Sequence, residues 1–182
     1  DGALIILEGP AGVGKTRLML DWFDEVRLRG AVAVVARCHE GEASLAFAPI
    51  VSLLQQALAL PGAAERLKSV PAWLRGAAAH LVPELGDATA GLPPDAADAR
   101  LRVFEAVWAV LLALTAGAGA TLLAIDDLQW ADASTLELFA YMARRLHGRA
   151  IGLVAAWRDD AVPHDHSLRA LLAAQRRSGT VV

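Results

Sequence analysis

A single cysteine, Cys38, stands in the chain, so no internal disulfide can form; this fits a reducing compartment, and the cytoplasm is the expected location. No group of Cys and His has the spacing of a metal site. His164, Asp165 and His166 are near one another in sequence, but no further ligand pattern joins them, and a solvated loop is the better reading. Charge of one sign is also scarce. The formal net charge is only -3, with no basic excess, which argues against direct nucleic-acid binding by this chain. Lysine is nearly missing: 15 arginines are accompanied by two lysines, Lys15 and Lys68.

An uncharged run does occur, from 106 to 125 (AVWAVLLALTAGAGATLLAI), about the length of a membrane span. Gly117 and Gly119 interrupt it, and Asp126 and Asp127 follow at once. The run therefore reads as a helix end, a turn and a buried strand, with no membrane partner. With 55% hydrophobic residues in 182, the composition is that of a folded domain.

Apolar runs at Ala3–Leu7, Ala31–Ala36, Thr121–Ile125 and Ile151–Trp157 read as strands buried on both faces. Helical periodicity covers Lys15–Arg29, Pro49–Leu60, Ala63–Leu81 (interrupted near Pro71), Asp98–Leu114, a helix capped by Asp132 and running to Leu146, and Ser167–Arg177. Residues 86–95 (GDATAGLPPD) form a loop that reaches the helix start near 97. Alternating strands and helices predict an α/β fold: a parallel sheet between two helical layers. The chain opens on Asp1 and closes on Gly179-Thr180-Val181-Val182, which resembles the start of a strand. With Gly9–Thr16 matching G-x-x-x-x-G-K-[ST] between the first strand and the first helix, the expectation is one P-loop NTPase core over 1–182, excised from a longer protein.

The strongest local signal is Gly9-Pro10-Ala11-Gly12-Val13-Gly14-Lys15-Thr16, a full G-x-x-x-x-G-K-[ST] motif between a strand and a helix. Its glycines let backbone N–H groups wrap phosphates, and the helix N-terminus adds partial positive charge. Residues 9–16, with Arg17 beside them, are the expected nucleotide-binding run. Lys15 is expected on the β- and γ-phosphates, and the Thr16 hydroxyl on Mg²⁺. The strand Leu122–Ile125 ends in Asp126 and Asp127, the form of a Walker B strand. Asp126 is expected to contact the metal through its water shell, and Asp127 to polarise an attacking water. Arg158 ends the Ile151–Trp157 strand. If that strand lies between the first strand and the Walker B strand, Arg158 points at the γ-phosphate; otherwise it is a surface arginine paired with Asp159 or Asp160. Asp132 reads as a cap, Trp130 as packing and Cys38 as a small buried residue, with a water-orienting role for Gln129 a minor alternative. Arg37-Cys38-His39-Glu40 ends the second strand beside the expected site.

Together, GPAGVGKT, RCHEGEASLAFAPI, LLAIDDLQWADASTLELFAYMARRL and LVAAWRDD resemble the AAA-like, STAND-type ATPase domain of large LuxR-type bacterial transcriptional regulators. Similar domains occur in cyclase-linked and kinase-linked regulators. The resemblance runs from Leu4 to about Arg177, and Asp126-Asp127-Leu128-Gln129-Trp130-Ala131-Asp132 is its most specific part. It implies a sheet of order 5-1-4-3-2, here with the fifth strand truncated. It implies ATP or ADP with Mg²⁺ as ligands, and slow hydrolysis used as a switch. Lys15, Asp127 and Arg158 take catalytic roles by resemblance, and Thr16 and Asp126 hold the metal. The family continues into a winged helix, helical sensor repeats and a DNA-binding helix-turn-helix, and nucleotide-dependent self-assembly is a further expectation for the parent protein. A nucleotide-binding module without hydrolysis is the competing reading. A small-molecule kinase is less favoured, because the 86–95 loop holds no Arg or Lys to serve as a lid.

Overall fold

The computed structural model describes residues 2–41, 44–90, 96–117, 119–162, 168, 169 and 173. The predicted helix over Ser167–Arg177, the terminal Gly179–Val182 segment and the His164–His166 group lie largely or wholly outside them. The described chain divides into two compact units, residues 1–50 with 118–182, and residues 51–117.

The first unit holds the sheet. Its strands are β1 (Ala3–Gly9), β2 (Val32–Arg37), β3 (Thr121–Asp126) and β4 (Ile151–Arg158). All neighbours pair in parallel, in the order β1-β4-β3-β2. This is the 1-4-3-2 part of the expected order; the expectation of a fifth strand concerns residues outside those described. β4 lies between β1 and β3, the condition that Arg158 needed.

The strands form because their side chains are apolar on both sides, as a covered parallel sheet requires. One face packs on α1 (Lys15–Leu28): Met19 and Phe23 meet Ala33, Leu122, Ala124 and Val154 in a buried cluster, with Ile5, Leu7 and Val35 against it. Residues of the opposite parity, among them Leu4, Val34, Leu123, Ile125, Leu153 and Ala155, are also buried, so the second face is covered too. α6 (Ala133–Ala143) follows β3 and ends three residues short of the expected Leu146. There Arg145 folds back, its guanidinium 3.5 Å from the centre of the Tyr141 ring and Nη1 donating to the Tyr141 carbonyl at 3.3 Å.

The second unit is helical. It holds most of α2 (Ala48–Leu58), then α3 (Ala63–Leu67), α4 (Ala72–Ala79) and α5 (Ala96–Leu114). Pro71 is the N-cap of α4, with φ -51° and ψ 141°, which explains the predicted break. α4 packs on α5. Arg66 Nε caps the end of α5 by donating to the Leu114 carbonyl at 2.9 Å. The uncharged run divides as expected: α5 stops at Leu114, Gly117 turns with φ 88°, and β3 starts at Thr121. Among the described residues no helix is long and apolar enough to cross a membrane.

Candidate functional site

Parallel strands present their carboxyl ends on one edge, where ligands bind in such sheets. Register fixes which residues meet there. Gly9 aligns with Arg158 across β1 and β4, and Arg37 with Asp126 across β2 and β3. A phosphate-loop glycine, two arginines and a carboxylate therefore come from four different strands to one rim.

Beyond β1 the chain turns through Gly12 and Gly14, whose φ values of 75° and 97° are left-handed and strained for any side chain. Gly14 is the N-cap residue of α1 and supplies no side-chain bond to the first helical N–H groups. These donors, with the helix dipole, are what an anion needs. Lys15 meanwhile folds over its own loop, donating to the Gly9 carbonyl at 2.7 Å and the Pro10 carbonyl at 2.8 Å. A cleft of about 440 Å³ opens here, and the predicted Ala11, Gly12, Gly14, Lys15, Thr16 and Arg17 all line it. Val13 does not; it is 61% exposed, on a groove beside Ile6 and Leu18.

Across the cleft stand Arg37, Glu40, Asp127, Trp130 and Arg158. Asp126 lies beneath them, 2% exposed, and reaches the site through Thr16, whose hydroxyl donates to Oδ2 at 2.8 Å. A hydroxyl beside a carboxylate is a hard-oxygen pair of the kind Mg²⁺ takes, so this donor set fits that ion. Asp126 Oδ1 also accepts the Asp127 N–H at 2.9 Å.

Asp127 has a left-handed backbone, φ 54°, unusual for a side-chain-bearing residue. This turn re-aims the chain after β3. Its Oδ2 accepts from Arg37 Nε at 2.9 Å and Nη2 at 2.8 Å, and its Oδ1 from Gln129 Nε2 at 3.1 Å. The bond to Asp127 raises the Arg37 guanidinium above its ordinary value; partial burial opposes this, and the charges of Asp127 and Asp126 reinforce it. Gln129 Oε1 then accepts the Arg158 N–H at 3.1 Å, so one buried side chain ties Asp127 to β4. The Arg158 side chain turns to Asp160. Arg158 lines the cleft and pairs with Asp160, one of the two acids that the sequence offers it.

Asp132 does more than cap. Its Oδ1 accepts the N–H groups of Ser134 at 2.8 Å and Thr135 at 3.0 Å. Its Oδ2 accepts the Thr135 hydroxyl and, from 85 residues away, the Phe47 N–H at 3.0 Å. Phe47 has φ 63°, so the carboxylate holds a strained loop as well as α6. Asp132→Ala removes the cap and the carboxylate that accepts the Phe47 N–H. It is expected to lower unfolding free energy by about 2–4 kcal/mol in urea denaturation; a loss under about 0.5 kcal/mol would contradict the clamp.

Arg37 and Gln129 are the two residues that the sequence leaves without a definite role. Cys38 is buried, as expected. Among the described residues no three His, Cys, Asp or Glu gather as a metal site.

Comparison with known proteins agrees with this geometry. A search of curated proteins finds no match. A family model described as the AAA ATPase domain matches residues 1–154, ending within β4 and before Arg158. The match covers most of the chain, including the phosphate loop and the first three strands in full: the chain belongs to the AAA ATPase domain family, a family of nucleotide-binding domains.

Proposed function

We propose that this chain is an ATP-binding, slowly hydrolysing switch domain of a multidomain, signal-responsive transcriptional regulator. The observation that carries the ATPase part is the convergence of Lys15, Thr16 with Asp126, Asp127 and Arg158 on one cleft at the carboxyl edge of the sheet. In this reading the loop N–H groups and the α1 N-terminus bind the phosphates. Lys15 exchanges the Gly9 and Pro10 carbonyls for phosphate oxygens, which bind a cation more strongly than neutral carbonyls do. Thr16 and Asp126 hold Mg²⁺, which when bound neutralises phosphate charge and polarises the phosphoryl group. Asp127 orients the attacking water and takes its proton, and Arg158 contacts the terminal phosphate. A ligand can shift a protein between states only through contacts that differ in the two states, and Asp127 and Arg158 are the groups whose contacts depend on that phosphate.

The regulator context rests on the resemblance of Asp126–Asp132 and its flanking segments. It brings ATP rather than GTP, a cytoplasmic setting and possible partners within the parent: a winged helix, helical sensor repeats and a DNA-binding helix-turn-helix. Nucleotide-dependent self-assembly is part of the same proposal, as is a single NTPase core over 1–182.

One observation favours a second reading, a nucleotide-binding module without turnover. Both oxygens of Asp127 are hydrogen-bonded, one to the Arg37 guanidinium and one to the Gln129 amide, so neither is turned to a water in the cleft. Arg37 must release Asp127 before water can be activated. Phosphate release from MgATP separates the readings. The switch predicts a rate on the order of 10⁻⁴ to 10⁻² s⁻¹, as in unassisted P-loop switches. Binding without any release of phosphate would leave the second reading.

A further inference from the structure

The Arg158 guanidinium is already engaged. Nε lies 3.3 Å from Asp160 Oδ1 and Nη2 lies 3.2 Å from Oδ2, so a two-donor fork meets two anionic oxygens. A phosphate meets arginine in the same way. The turn that carries Asp160 is pinned. Arg169 Nη2 donates to the Asp159 carbonyl at 3.0 Å and the Val162 carbonyl at 2.9 Å, and Nε donates to Val162 at 3.1 Å. Arg169 Nη1 also lies 3.8 Å from Glu8, near the end of β1. The Asp160 N–H donates to Asp159 Oδ1 at 2.9 Å. The hydrogen bond from Arg158 holds the Asp160 carboxyl below its usual value, against a small effect of burial; the charges of Arg158 and, last, Lys15 act the same way. Asp160 thus stands in the field of two cations assigned to phosphate.

We infer that Asp160 is a specificity-determining residue: its carboxylate occupies the Arg158 fork in place of a terminal phosphate, and so lowers the preference of the cleft for a triphosphate over a diphosphate. The inference rests on the assignment of this cleft to a nucleotide. A diphosphate makes no demand on Arg158, so the competition falls on ATP alone. The pair is open to solvent, with side chains 37% and 49% exposed, and exposed ion pairs are weak. Asp160 therefore tunes the site without blocking it.

Calorimetric titration of the folded chain with MgATP and MgADP tests this. Asp160→Asn is expected to tighten ATP by about two- to fivefold and to leave ADP nearly unchanged. Asp159→Asn removes the same charge one residue away, keeps a carbonyl acceptor for the Asp160 N–H, and is expected to do neither. In an Arg158→Gln background Asp160→Asn is expected to have no effect. Unchanged ATP affinity, an equal gain from Asp159→Asn, or a gain that persists without Arg158 would each overturn the inference. If the unaltered chain bound neither nucleotide, the assignment of the cleft would fail and this inference with it.

Discussion

Asp127→Asn is expected to lower ATP turnover by about 10² to 10⁴-fold while nucleotide binding is kept. The substitution keeps the side-chain shape and removes the ability to take a proton. The backbone tolerates it: Asp127 has φ 54°, and asparagine is among the few side-chain-bearing residues at ease there. One oxygen remains to accept from Arg37, while the new amide cannot accept from Gln129 Nε2. Since Gln129 also holds the Arg158 N–H, the Gln129 bridge is the local contact most exposed to change. Affinity is not expected to fall, because the change removes a negative charge from a cleft that takes a polyanion. Phosphate release gives the turnover and calorimetry the binding. Turnover unchanged in the mutant would remove Asp127 from the chemistry.

Lys15→Ala is expected to weaken ATP binding by about 10² to 10⁴-fold. The estimate comes from two charge-assisted hydrogen bonds to phosphate, each contributing about 1.5–3 kcal/mol, where 1.4 kcal/mol is tenfold. The same side chain bridges the Gly9 and Pro10 carbonyls, so its loss also touches the fold. That cost is smaller. The Pro10 bond is exposed, and water can replace it; ordinary bonds of this kind contribute about 0.5–1.5 kcal/mol each. The variant should stay folded, with a thermal midpoint only a few degrees lower, and should lose the nucleotide. A folded variant that binds ATP as tightly as the parent would show that Lys15 does not contact phosphate.

Much of this architecture was legible because parallel strands covered on both faces appear as unbroken apolar runs. Ala31–Ala36 (AVAVVA) and Thr121–Ile125 have no other easy reading. Pro71 and Gly117 marked breaks through backbone restriction alone. The phosphate loop was legible because its spacing and its place between strand and helix state the same mechanism twice. Arg37 was not. Its contact with Asp127 spans 90 residues and depends on β2 lying beside β3 in the register that sets Arg37 against Asp126. A signal was present nonetheless: Arg37, Asp126 and Arg158 each end an otherwise apolar strand with a charge. Once the strand order is known, they have to meet. The Gln129 bridge, and the choice of Asp160 over Asp159 as the partner of Arg158, escaped for a different reason. Their roles depend on turns after β3 and β4, where one left-handed residue or one pinning arginine decides the direction of a side chain. The second role of Asp132, toward Phe47, is of the same tertiary kind.

The central claim is that this cleft binds a nucleoside triphosphate through its phosphates with magnesium. The most direct test is calorimetric titration of the chain with ATP, with and without Mg²⁺, beside Lys15→Ala. The account predicts saturable one-to-one binding that magnesium strengthens and the substitution weakens by at least about 100-fold. Binding that is indifferent both to magnesium and to Lys15 would contradict it, because the nucleotide would then be held somewhere other than the phosphate loop.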